Sequence, residues 1–216
     1  SNPTIFIDSL SIMFESEVSG YNSLYRIRKD GSGFALIAGG KYTILESVID
    51  RRNGRVYFSA NKEHPYEYFI YETGFEGTSL KQLTSEAGDV QDLRLSGDGK
   101  SLFYSHSYIN KPNELYYLDL NDYSGKQITS TISPKFSQVE WSVPEVINFS
   151  NEEDGTPLYA FLYKPENYNP KKKYPLICFA HGSGYLQNVT YGFSPYGDNY
   201  LVNTFLTSQG YIVLDV

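Results

Sequence analysis

His181-Gly182-Ser183-Gly184-Tyr185 is the stretch of this 216-residue chain whose residue types and spacing could do chemistry. It follows the apolar run Leu176-Ile177-Cys178-Phe179-Ala180, which reads as a strand buried on both faces, as in a parallel sheet. A small-residue loop leaving the carboxyl end of such a strand is where α/β folds place ligands. Without bulky side chains, a carbonyl group can reach the backbone N–H groups. Those donors can then hold the negative oxygen of a tetrahedral intermediate. On this reading His181, Gly182 and Ser183 form an oxyanion-binding loop, with the amides near Gly182 and Ser183 as donors. The alternative is a Gly-rich turn around a structural His181.

Other reactive residues form no comparable set. The nearest approach to a Gly-x-Ser-x-Gly nucleophile motif is Gly192-Phe193-Ser194-Pro195-Tyr196, which lacks the final Gly, and Pro195 disfavours a strand-to-helix elbow there. His64, His106 and His181 lack metal-ligand spacing, and the single Cys178 excludes an intrachain disulfide. No metal or cofactor is expected. His64 and His106 read as surface residues in inter-strand loops. Lys171-Lys172-Lys173 and Glu152-Glu153 read as solvated turns. A net charge of -7 argues against nucleic acid and against an anionic membrane surface. No apolar run approaches the roughly 20 residues that a membrane-spanning helix needs.

The elements around the loop follow from periodicity. Residues 198–209 take helical spacing: Asp198 as N-cap, Leu201, Val202, Phe205 and Leu206 as the apolar face, and Gly210 as left-handed terminator. Tyr211 to Val216 is strand-like, so strand, loop, helix and strand make a βαβ unit. Val216 closes the chain inside that strand, which suggests a fragment.

Upstream the pattern is β and repetitive. Tyr (21 residues) and Phe (13) favour pleated surfaces. Asn53-Gly54-Arg55 recurs as Asp98-Gly99-Lys100, and Leu83-Thr84 as Ile128-Thr129, each 45 residues on. Asn-Gly and Asp-Gly supply the positive φ of hairpin turns. Short strands with turn signals at this period describe four-stranded propeller blades. About three fit into residues 4–135. An ordinary antiparallel sandwich is the alternative.

Together, the 45-residue period, Lys173-Tyr174-Pro175 leading into Leu176 to Gly184, and Ser208-Gln209-Gly210-Tyr211-Ile212-Val213-Leu214-Asp215 resemble the prolyl oligopeptidase family of serine peptidases. The dipeptidyl peptidase IV-like branch is the most similar. The resemblance covers essentially the whole chain. It implies a mainly β fold: a partial β-propeller over 1–140, then the beginning of an α/β-hydrolase domain over 141–216. It implies a peptide substrate, release of N-terminal dipeptides, a homodimeric parent and a periplasmic or extracellular location. The family's loop often begins with a Tyr whose hydroxyl helps bind the oxyanion; His181 stands there in this chain. The family's Ser, Asp and His lie downstream of Val216, so none of the triad is assigned and the chain alone is expected to be inactive. A non-catalytic β-rich binding module and an esterase with the same hydrolase start are the other readings.

Overall fold

The computed structural model describes residues 5–182, 187–193 and 197–216. By its contacts the chain divides into two compact units, Ser1–Ser107 with Asn113–Thr131 and Tyr108–Pro112 with Ile132–Val216.

The first unit consists of three successive four-stranded antiparallel meanders. The first sheet holds β1 (Ile5–Phe6), β2 (Ser11–Ser16), β3 (Ser23–Arg28) and β4 (Ala35–Ala38). The second holds β5 (Ile44–Asp50), β6 (Arg55–Ala60), β7 (Phe69–Gly74) and β8 (Lys81–Gln82). The third holds β9 (Asp89–Leu95), β10 (Ser101–Tyr108), β11 (Lys111–Asp119) and β12 (Gly125–Gln127). β5 and β9 start 45 residues apart, the period read from the turns. Both expected hairpin glycines have positive φ, +63° at Gly54 and +73° at Gly99.

Strand alternation explains how these sheets stack. Side chains on a strand point to opposite faces with period two. In the middle sheet Val56, Phe58, Ala60, Phe69 and Tyr71 enter a core shared with Met13, Leu24 and Ile37 of the first sheet. Their neighbours Tyr57 and Ile70 point the other way, into a core with Val90, Leu93, Leu102 and Leu118 of the third. The middle sheet is therefore covered on both faces, as in consecutive blades; a two-sheet sandwich has no such layer. Glu46 of β5 adds a polar link, its Oε1 accepting from the Leu93 N–H of β9 at 3.2 Å. Burial pushes the Glu46 carboxyl above its ordinary pKa.

The second unit contains a short helix α1 (Pro134–Ser137), then β13 (Glu145–Ser150), β14 (Pro157–Tyr163), β15 (Leu176–Phe179), helix α2 (Gly197–Ser208) and β16 (Ile212–Asp215). Its sheet has the order β13-β14-β16-β15. β15 and β16 are parallel and joined through α2, the expected βαβ unit, whereas β14 runs antiparallel to both β13 and β16. Gly210 ends α2 at φ +86°, with the Tyr211 N–H donating to Leu206 O at 3.1 Å. That is the left-handed C-terminal closure read from the sequence.

Two expectations about this unit are corrected. β15 is not buried on both faces: it is an edge strand, with Leu176 59% exposed and Cys178 exposed. No described element covers the Leu176 and Cys178 face. The helix faces are also reversed. Of the expected apolar face Leu201, Val202 and Phe205 are exposed and Leu206 is half-buried, while Tyr200, Asn203, Thr204 and Thr207 are buried. α2 turns this stripe inward because the groups beneath it demand polar partners. The Asp215 carboxylate takes Asn203, and Ser142 supplies a carbonyl to the Tyr200 hydroxyl at 3.0 Å and a hydroxyl to Thr207 at 2.6 Å.

Candidate active site

The parallel pair β15 and β16 brings the strand-end loop to its place. Phe179 lies opposite Asp215, and the Val216 N–H donates to Phe179 O at 3.0 Å. The chain leaves this register as Ala180-His181-Gly182. His181 is half-buried, and its Nδ1 lies 2.9 Å from Gly182 O. A carbonyl oxygen only accepts, so Nδ1 carries the proton in this contact. Gly182 is exposed, and a Cβ built on it would meet no atom of the described residues within 4 Å. Its φ lies outside the left-handed region, so the backbone there does not itself oppose a side chain. Ser183, the other expected donor, lies outside the described residues, as do Gly184, Tyr185 and the weak nucleophile candidate Ser194.

The chain returns at Gln187 and becomes buried at once: Asn188, Val189 and Thr190 are 5–8% exposed. The Gly192 N–H donates to Thr190 Oγ1 at 3.2 Å, and Phe193 meets Tyr200 edge-on at 5.7 Å between ring centres. Asn188 Nδ2 donates to Asp215 Oδ1, and Asn203 Nδ2 of α2 donates to Asp215 Oδ2 at 2.9 Å. Asp215 is 4% exposed. Burial raises its pKa, opposed by the Asn203 and Asn188 hydrogen bonds and by attraction to His181. One buried carboxylate thus touches the return of the loop and the helix behind it.

Sequence reasoning missed this trio. The signal was present: Asp215 is the one charged residue in Tyr211 to Val216. A charge inside an apolar strand needs buried partners. His106 also departs from its reading as a surface loop residue. It is 7% exposed, inside β10, and on the same face as Leu102 and Tyr104 by strand alternation. Its ring meets Tyr116 edge-on at 5.3 Å. His64 is exposed, its Nε2 4.0 Å from Glu67, and it stacks on Tyr66. Among the described residues no group of three or more His, Cys, Asp and Glu side chains could hold a metal ion. No helix among them is long and apolar enough to cross a membrane.

Comparison with known proteins adds to this geometry. Residues 1–113 match the family model described as the dipeptidyl peptidase IV N-terminal region. Dipeptidyl-aminopeptidase B of Aspergillus niger is 29% identical over 213 residues, covering 91% of this chain and 22% of that protein. Dipeptidyl peptidase 8 of Mus musculus is 25% identical over 249 residues, covering 98% of this chain and 27% of that protein. The chain thus spans about a quarter of the length of the curated relatives it matches. The crystal structure of Porphyromonas gingivalis dipeptidyl peptidase 4 superposes with a TM-score of 0.81 at 18% identity, over 99% of this chain and 30% of that one. At that identity the likeness concerns the fold.

Proposed function

The chain belongs to the dipeptidyl peptidase IV family, and from that premise we propose that it is part of a serine exopeptidase that releases N-terminal dipeptides from short peptides. Residues 1–140 contribute late blades of a β-propeller that limits substrate size. Residues 141–216 begin an α/β-hydrolase domain that carries out acyl transfer. The observation that supports this reading is the start of the loop at the carboxyl end of β15, where Gly182 is exposed and no described residue crowds it, beside a buried carboxylate. Amide donors at Gly182 and Ser183 would stabilise the tetrahedral oxyanion of the scissile carbonyl. His181 stands where the family often has a Tyr. The nucleophile, its base and their orienting acid are placed outside this chain, which has no Gly-x-Ser-x-Gly sequence.

The test is hydrolysis of a glycyl-prolyl chromogenic amide by the full-length protein. Release of the intact dipeptide supports the reading. Turnover of simple esters without any dipeptide release favours an esterase, and turnover of neither favours a binding module. The 216-residue chain alone should give background rates and take up no fluorophosphonate label.

A further inference from the structure

Tyr123 holds a backbone conformation that its side chain does not favour. It sits in the hairpin between β11 and β12 at φ +59°, in the left-handed region. Glycine and asparagine suit that region, whereas a bulky aromatic residue there is an outlier with an energetic cost. The turn itself is well bonded: the Tyr123 N–H donates to Asp119 O at 2.8 Å, and the Asp119 carboxylate accepts from the Asn121 N–H at 2.8 Å. None of these bonds uses the phenol. An outlier of this kind persists only where further contacts over-determine it.

Those contacts lie on the middle sheet. By strand alternation Glu72 shares a face of β7 with Ile70, the face turned toward the third sheet. Lys81 of β8 pairs directly with Glu72 on that face. The middle sheet thus presents a carboxylate and an ammonium side by side, and Tyr123 engages both. Its hydroxyl donates to Glu72 Oε1 at 2.9 Å, and Lys81 Nζ lies 3.2 Å from its ring centre. Glu72 is 5% exposed, with Arg55 Nη1 3.9 Å from the same oxygen. A hydrogen bond to a buried charge is among the stronger kinds, and its removal leaves an oxygen short of a partner. A cation over an aromatic face adds to it. Burial and the bond to Glu72 both raise Tyr123 above its ordinary pKa, which keeps the hydroxyl a donor.

We infer that Tyr123 is a strap between the second and third sheets, its phenol fastened to Glu72 and Lys81 so that the seam beside β8 and β12 parts only when this bond is released. The apolar core of Tyr57, Ile70, Val90 and Leu93 holds the rest of the seam. Release of the strap is therefore a local opening, separate from unfolding of the unit. The strap touches none of the residues assigned to the oxyanion, and it stands whether or not the full-length protein releases dipeptides.

Hydrogen exchange read by mass spectrometry on the full-length protein tests it. Tyr123→Phe keeps the ring and its lysine contact but removes the donor. Exchange over residues 119–127 should rise by roughly 10–100-fold, the worth of one hydrogen bond to a charged group, while residues 101–108 of β10 stay protected. In a Glu72→Gln background the same change should cost less, because the two side chains act as a pair. Lys81→Ala, at an exposed side chain, should raise exchange over 119–127 by about 2–5-fold. Tyr123→Gly separates the strap from a mere turn residue. A turn residue alone predicts slower exchange, since glycine relieves the backbone, whereas the strap predicts faster exchange despite that relief. Unchanged exchange in Tyr123→Phe, or slower exchange in Tyr123→Gly, would overturn the inference. So would strictly additive effects of Tyr123→Phe and Glu72→Gln, or an equal rise over 101–108, which would mean that only global stability had changed.

Discussion

Truncating Phe58 and Ile70 to alanine, one at a time, tests whether the middle sheet of the first unit is covered on both faces. Both side chains have no exposed area, yet they belong to different cores. Phe58 stacks on Tyr71 at 5.7 Å between ring centres and faces the first sheet's residues. Ile70 points into the core formed with Val90, Leu93 and Leu102 of the third. Emptying a buried Phe site costs about 3–5 kcal/mol and a buried Ile site about 2–5 kcal/mol, from lost transfer energy plus the residual cavity. Leu36→Ala, at a position 49% exposed, is the control and should stay within about 0.5 kcal/mol. With a urea slope of about 2 kcal/mol/M, a loss of about 3 kcal/mol moves the midpoint by roughly 1.5 M. Urea titration followed by far-UV circular dichroism reads all three variants. If either Phe58→Ala or Ile70→Ala behaves like Leu36→Ala, that face of the sheet is not covered, and the stacked arrangement is refuted.

Asp89 of β9 is 7% exposed, and burial raises its pKa above the ordinary 3.8, opposed by a hydrogen bond from Gln91 and by His106. Between the unfolded and the raised folded pKa the native state binds more protons, so stability is full below about pH 4 and falls as pH rises through the folded value. Asp89→Asn should remove that slope and leave the protein more stable at pH 7, as read by denaturation midpoints across pH. Gly210→Ala should cost about 1–2 kcal/mol from the left-handed backbone alone, because a Cβ there meets nothing within 4 Å. Thermal unfolding measures it, and a neutral effect would remove the role of Gly210 as terminator of α2. Gly182→Val in the full-length protein should lower kcat by about 100-fold or more. Its unfolding midpoint should not move, since no described residue crowds the side chain and positive φ does not oppose it. Full turnover would withdraw Gly182 from the oxyanion loop.

Local and periodic features of this chain were legible in its sequence. Asn53-Gly54 and Asp98-Gly99 mark hairpins because only a few residues tolerate their backbone. The 45-residue spacing gave three meanders, since each repeat closes its own hydrogen bonds. Gly210 stopped α2, and the strand, helix and strand around it formed a parallel pair. All of these are settled by neighbours a few residues away or by a fixed period.

What the tertiary structure alone decided is which face meets what. The stripe Leu201, Val202 and Phe205 reads as a core face by hydrophobicity, yet it is exposed. A buried carboxylate 12 residues away accepts the Asn203 amide, and the cost of leaving a buried charge unpartnered exceeds the gain from covering a few apolar side chains. Leu176 to Ala180 shows the same limit. Apolar composition signals a capacity for burial, but the number of neighbouring layers decides whether burial happens. His106 faces inward by strand alternation, and only its assignment to a loop hid that. Asp215 gathers Asn188 and Asn203 from 27 and 12 residues away. A contact of that kind has no sequence period, because it exists only after β15, α2 and β16 have come together.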